Sequence, residues 1–276
     1  MNTSVNQGTS RGQLWLKLLS GQPGQASKQS QAVRYADAAL GPEQARFISV
    51  VPDSDNRFPR ARRGEVGLEQ GWALAQLLRQ TIAEDASAAR KRPIIAVVDV
   101  IGQAYGRREE LMGIHIACAA AADAYAAARL AGHPVVALIV GHAMSGAFLA
   151  HGYQANRIVA LDAPGVLIHA MGQAAAARIT RRTVEQLAEL GERIAPMSYD
   201  VRNYAKLGLL HALVDGVDPL APDAAGQARV LQTLVEAVLA IRQDGRRDLA
   251  TRYESAAAQQ TRAASIAVRR QLALQW

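Results

Sequence analysis

The sequence predicts an α/β fold in which a mostly parallel sheet is buried between layers of helix. Three observations predict it: short runs that are apolar on both faces, long helix-spaced segments between them, and glycine-rich junctions where a run passes into a helix. The runs are "RFISVVP" (Arg46 to Pro52), "RPIIAVVDV" (Arg92 to Val100) and "PVVALIV" (Pro134 to Val140).

In chain order, "QLWLKLLSG" reads as a short helix, and the rest of residues 1–45, rich in Gln, Ser and Gly, reads as a loosely ordered arm. The first strand follows at Arg46. "GLEQGWALAQLLRQTIAEDASAARK" then carries Ala75, Leu78 and Ile82 at helical spacing. After the second strand come a glycine loop and a helix expected from Arg108 to Ala131. The third strand enters a glycine turn, Gly141 to Gly146, and a small-residue helix. "RIVAL" and "GVLIHAM" read as a close pair of strands. "VDPLAPDAAGQ" is a linker, and Ala228 to Trp276 reads as one or two Arg-rich helices broken at Gly245. The expected division is an arm (1–45), a main domain (46–222) and a helical C-terminal tail (223–276).

Half of the 276 residues are apolar, enough for a substantial core. The charge is +7, carried by 27 arginines and four lysines. The arginines are spread among acidic residues, no zinc-finger, KH or RRM signature occurs, and only three Phe are present to stack on bases, so nucleic acid is not expected. No apolar run reaches a membrane-spanning length and the polar start lacks a secretory core, so no membrane association and a cytoplasmic location are expected. Cys118 is single and lies in an alanine-rich helical run. Six histidines without an H-x-x-x-H spacing give no metal site.

The glycine turn is the candidate site. In a parallel sheet a ligand sits outside the carboxyl ends of the strands, where the chain turns into a helix. Gly141, Ala143, Ser145, Gly146 and Ala147 offer little side-chain cover, so open backbone N–H groups there can hold an oxyanion. The turn is neither a Walker A loop nor a dinucleotide fingerprint, and "AMSGA" places Ala at both glycine positions of a nucleophile elbow around Ser145. Small residues also simply let a helix pack closely on its strand. A second loop, "DVIGQAYGRREELMGI", likewise follows a strand and opens a helix, with Gly102 and Gly106 flanking Gln103 and Tyr105. One amide from each loop would complete an oxyanion hole. His151 reads as a helix-surface residue.

From Arg46 to Leu213, and above all in "AMSGAFLAHG", "HAMG" and "RNYAKLGLLHALVD", the sequence resembles the carboxyltransferase branch of the crotonase superfamily. It is most similar to the gamma subunit of biotin-independent malonate decarboxylase. The resemblance implies a crotonase-like ββα spiral and a beta-subunit partner in a hetero-oligomer, a heterodimer or heterotetramer. It implies decarboxylation of a malonyl group presented on the prosthetic thiol of an acyl carrier protein. Biotin-dependent relatives read like D-x-P-G and G-G-S-G-G-A in the two loops. Here Asp99-Val100-Ile101-Gly102 lacks the proline and His142 to Ala147 fills glycine positions, so biotin is not expected and no cofactor is expected to bind directly.

On this resemblance the backbone of Gly102, Gln103, Ala143, Met144, Ser145 and Gly146 carries catalysis. Tyr105, Gly106, Gly141, His142 and His169 contact the acyl group, with His142, His169 or Tyr105 as candidate proton donors to the enolate carbon. Arg57, Arg60, Arg62 and Arg63 form either a solvated loop or a contact for the acidic carrier protein. The alternative to catalysis is a scaffold that keeps the fold only to position the beta subunit.

Overall fold

In the computed structural model, which describes residues 10–276, the strand runs become one 8-stranded sheet. Strands β1 (Gln25–Ala26), β2 (Val33–Leu40) and β3 (Glu43–Val50) are antiparallel neighbours. From β3 the order continues in parallel through β4 (Ile94–Val100), β5 (Val135–Met144), β6 (Arg157–Leu161) and β8 (Ala212–Val214). The short β7 (Leu167–His169) also pairs in parallel with β5, at His142 to Met144.

The parallel strands are mostly apolar because both faces are covered. Ile94 to Val98 and Val135 to Val140 are all fully buried, and each Ile or Leu so placed contributes about 1.5–3 kcal/mol. Strand alternation puts Asp99, against Gly12 of helix α1 (Arg11–Ser20), on one face. It puts Val98, against Gly152, on the other. Gly152 follows α5 (Ser145–Ala150), and α5 lies beside α4 (Ile114–Leu130). Helix α2 (Leu68–Glu84) packs on α4 at a crossing where Gly71 has no room for a side chain: an added Cβ would stand 2.6 Å from the Ala117 carbonyl oxygen.

Four sequence expectations change. The short helix expected at "QLWLKLLSG" is α1, but the rest of residues 10–45 is not a loose arm: β2 joins the sheet, and α1 itself buries Trp15 and Leu16; residues 1–9 lie outside the described region. The reason is long-range: the Trp15 indole donates to the Pro219 carbonyl at 3.0 Å, a partner more than two hundred residues away in sequence. The helix expected from Arg108 is two helices, α3 (Arg107–Leu111) and α4, because Gly113 adopts φ 83° between them. The C-terminal segment does not begin as a separate tail. Helix α9 (Ala224–Asp244) sends Val230, Leu234, Ala237 and Val238 into the main core. Beyond Gly245, which ends α9 at φ 66°, the short helices α10 (Thr251–Glu254), α11 (Ala256–Thr261) and α12 (Ala263–Gln275) are more exposed. The "close pair" β6 and β7 do not pair with each other; they follow one another along the same partner, β5.

The Gly71 contact gives a direct test. Gly71→Ala must push α2 from α4 and is expected to cost about 1–3 kcal/mol, read as a lowered denaturation midpoint in urea.

Candidate active site

The pairing of β4 with β5 brings both glycine junctions to one edge of the sheet. β4 ends at Val100 and leads through Ile101 to Gly106 into α3; β5 ends at Met144 and leads directly into α5. Ser145 makes that turn at φ 57°, one of two non-glycine residues with positive φ among those described. Such left-handed backbone in a side-chain-bearing residue costs of order 1–3 kcal/mol and is held only by its surroundings.

The structure corrects the expected turn. Gly141 to Met144 are strand, because β7 supplies a partner for His142 to Met144 that no local pattern announces. Gly141 therefore belongs to the strand rather than to an open turn. Its missing side chain makes room for Asp99: an added Cβ would lie 2.0 Å from Asp99 Oδ1. The Asp99 carboxylate accepts the His142 N–H at 3.1 Å through Oδ1 and the Gly12 N–H at 3.3 Å through Oδ2. It thereby joins α1, β4 and β5. Burial alone raises the Asp99 pKa, but the His142 imidazole and the His142 and Gly12 amides outweigh it, and the net shift is downward.

The two loops touch. Gly146 N–H donates to Gln103 Oε1 at 3.0 Å, so this amide, expected to be open, is engaged by the facing loop. The Gln103 loop is itself pinned to the segment before α2: Ala104 N–H donates to the Val66 carbonyl at 2.8 Å and Val66 N–H to the Gly102 carbonyl at 3.1 Å. The N–H groups of Gln103, Ser145 and Ala147 make no hydrogen bond outside the regular helix and strand ladders among the described residues. They lie on the same two junctions as the Gln103–Gly146 bond.

A cavity of about 760 Å³ opens beside this contact, lined by Gln103, Tyr105, Gly146, Ile114, Leu149 and Tyr153 among others. Gln103, Tyr105 and Gly146 were expected at the site and meet there. Gly102, Gly106, Gly141, His142, Ala143, Met144, Ser145 and His169 do not line it. Gly106 lets Arg60 approach, and an added Cβ would meet Arg60 Nε at 2.6 Å. His142 is half-exposed on the strand, its Nδ1 3.7 Å from Asp99 Oδ1. His169 stacks on Tyr199 with centroids 3.9 Å apart, its Nδ1 accepts the Met171 N–H at 3.1 Å, and burial lowers its pKa.

The cavity's far wall went unnoticed in the sequence, although Ile114, Cys118 and Ala122 stand four residues apart on α4, the spacing of one helix face. Burial pushes the Cys118 thiol up to about 11, so it is neutral at physiological pH. His151 is not on a surface. It is fully buried, accepting the Tyr125 hydroxyl at 2.9 Å on Nδ1 and donating from Nε2 to the Val97 carbonyl at 3.1 Å, which fastens the end of α5 to β4. Arg57, Arg60, Arg62 and Arg63 are all exposed; Arg57 pairs with Glu69 at 2.5 Å and Arg63 with Glu65 at 3.1 Å. No group of His, Cys, Asp and Glu among the described residues is arranged to hold a metal ion, and no helix among them is long and apolar enough to cross a membrane.

The family model "Malonate decarboxylase gamma subunit" matches residues 61–276. The chain belongs to this family. A curated relative from Malonomonas rubra, malonyl-S-ACP:biotin-protein carboxyltransferase, is 38% identical over 167 residues, 59% of this chain and 57% of that one. The chain thus spans little more than half the length of that relative. Among solved structures, a Pseudomonas malonate decarboxylase hetero-tetramer in complex with coenzyme A aligns with TM-score 0.91 at 52% identity, covering 97% of this chain and all of the other (100%). A Pseudomonas MdcD-MdcE hetero-dimer aligns with TM-score 0.88 at 51% identity over the same shares, 97% and 100%. At 14% identity the transcarboxylase 12S core still aligns with TM-score 0.57 over 88% of this chain and 45% of that one, which shows the shared crotonase-like fold.

In this member of the malonate decarboxylase gamma family, then, Asp99 holds the junctions in place from one face of the sheet while Gln103 and Gly146 meet beside the cavity on the other. Because the folded pKa of Asp99 lies below its unfolded value of about 3.9, its contribution is present above that value and is lost as pH falls through the folded pKa. Asp99→Asn is expected to destabilise the chain at pH 7, and the gap from wild type should narrow as the pH drops below about 4 in parallel denaturation series.

Proposed function

We propose that this chain is a catalytic gamma subunit that, with a beta subunit, converts malonyl-acyl carrier protein to acetyl-acyl carrier protein and CO2. The observation that carries this reading is the meeting of Gln103 and Gly146 at the edge of the sheet, beside a cavity large enough for an acyl thioester and its arm. The Pseudomonas relatives, named as a hetero-tetramer with coenzyme A and an MdcD-MdcE hetero-dimer, support a thioester substrate and a beta partner.

Loss of CO2 leaves an enolate whose oxygen is negative, and amide donors aimed at that oxygen lower the barrier, each worth about 3–4 kcal/mol when removed in other enzymes. The beta subunit supplies the donors to the thioester oxygen. Of the amides expected there, those of Gln103, Ser145 and Gly146 remain at the junctions and face the departing carboxylate or the acyl carbonyl, while those of Ala143 and Met144 lie in the strand paired with β7. An amide oxygen and an acyl oxygen are similar acceptors, so Gln103 Oε1 stands where a substrate oxygen binds, and the substrate takes the Gly146 N–H by displacing it. Of the three expected proton donors Tyr105 lines the cavity, and the proton to the enolate carbon comes from its hydroxyl or from water. Arg57, Arg60, Arg62 and Arg63, with Arg108, which shares the Phe58 ring with Arg57, contact the acidic carrier. Biotin takes no part: the missing proline and the filled glycine positions set this chain apart from the D-x-P-G and G-G-S-G-G-A patterns. The curated relative, whose name includes a biotin protein, represents the opposite outcome.

One observation favours a second reading, a scaffold that only positions the beta subunit: the Gly146 N–H is already satisfied within the chain. Co-purification with the beta subunit and assay of CO2 release from malonyl thioesters separates the two. The assembled pair is expected to turn over and the isolated chain not, and Gly146→Val is expected to abolish turnover while Ser145→Ala leaves most of it. Full turnover with Gly146→Val would establish the scaffold. Gln103→Ala, which frees one hydrogen bond worth about 1 kcal/mol, is expected to lower KM about fivefold with kcat little changed; a fall in kcat instead would make Gln103 a clamp.

A further inference from the structure

A second cavity, of about 440 Å³, lies at the opposite edge of the sheet, lined by Pro134 and Asn156 just before β5 and β6. With β5 ten residues long, it stands roughly 30 Å from the Gln103–Gly146 contact. Its wall carries five guanidinium groups, Arg90, Arg129, Arg242, Arg246 and Arg247, and no lining side chain is a carboxylate.

Three of the five are neutralised from behind. Arg90 and Arg242 share Glu43 at 2.6 and 2.5 Å, and Arg246 takes Asp244 and Glu254, each at 2.7 Å. Arg129 and Arg247 have no carboxylate within ion-pair reach among the described residues. Their acceptors are main-chain carbonyls: Arg129 Nε donates to Gln154 at 3.1 Å, Arg129 Nη1 to Arg247, and Arg247 Nη1 to Leu130 at 2.7 Å, at the end of α4. The Leu130 bond answers the partial negative charge of a helix end, the other two meet loop carbonyls, and none of them removes either positive charge. Arg129 Nη2 and Arg247 Nε and Nη2 have no acceptor among the described residues. Arg129 is 7% exposed; burial lowers its pKa more than the nearby Asp248 carboxylate, which lies beyond ion-pair distance, raises it. A buried cation in that position is costly unless an anion completes it.

We propose that this cavity binds a phosphate group, as inorganic phosphate or the terminus of a small phosphomonoester, held by Arg129 and Arg247. Two planar forks with free N–H edges match the several oxygens and double charge of phosphate better than a single carboxylate. The cavity is larger than phosphate alone, which leaves space for an ester substituent. The proposal does not rest on the reading of the active site.

The test uses the full chain assembled with its beta subunit, with inorganic phosphate, glycerol phosphate and chloride compared at matched ionic strength by thermal shift and calorimetry. Phosphate is expected to raise the midpoint by about 3 °C over chloride at saturating concentration. Arg247→Gln, a change at an exposed side chain, is expected to weaken phosphate binding about tenfold, and Arg129→Lys to weaken it as well, read as a smaller phosphate-induced rise above that variant's own midpoint in chloride. Tighter binding of glycerol phosphate than of phosphate would identify an ester as the occupant, and the reverse the free anion. An equal rise in chloride, wild-type affinity in Arg247→Gln, or no binding at all would overturn the site and leave the arginines as helix-end caps.

Discussion

The parallel pairing of β4 with β5, locked by the Asp99 carboxylate, is the constraint on which the rest of the structure depends. That one side chain ties the amide of Gly12 to that of His142 and lies in the space that Gly141 leaves vacant. With β4 and β5 in register, the two strand-to-helix junctions can only emerge side by side, and Gln103 reaches Gly146. The buried Tyr125–His151–Val97 chain then holds the far end of α5, so the left-handed turn at Ser145 is fixed from both sides. Backbone strain of this sort persists because the surroundings over-determine it.

Much of this was legible in the sequence wherever the signal was local. The apolar runs that became β3, β4 and β5, the helical spacing of α2, and the glycine junctions are periodic or compositional features, and the structure has them. The order and separation of the two glycine loops carried the family resemblance. What failed to show depended on contacts between distant residues. The pairing of β7 with His142 to Met144 turned an expected loop into strand, the Trp15 contact with Pro219 packs the expected short helix into the core, and the pairing of β2 with β3 turned expected loose chain into sheet. His151 looked exposed because its partners, Tyr125 and the Val97 carbonyl, come from other elements. The role of Gly141 was misread for a similar reason. A glycine that bares an amide and a glycine that makes room for a carboxylate are identical in one dimension.

The two ends of the sheet differ in electrostatic character. At the carboxyl ends, small residues and main-chain N–H groups gather around a largely apolar cavity, with exposed arginines on the neighbouring Arg57 to Arg63 segment. At the amino ends, guanidinium groups crowd a smaller cavity where α4 and α9 terminate. The high arginine content of the chain is thus partly structural, spent on carbonyls and on carboxylates such as Asp37, Asp85 and Glu43. Net charge read from composition cannot separate these uses, which is why it pointed to no partner by itself.

The most direct measurement is a crystal structure of the assembled hetero-oligomer with an unreactive malonyl thioester analogue. The result expected is an analogue oxygen about 3 Å from the Gly146 nitrogen, with the Gln103 side chain turned away. An intact Gln103–Gly146 hydrogen bond, with every analogue oxygen held by the partner subunit, would contradict the account and leave the junction as scaffolding.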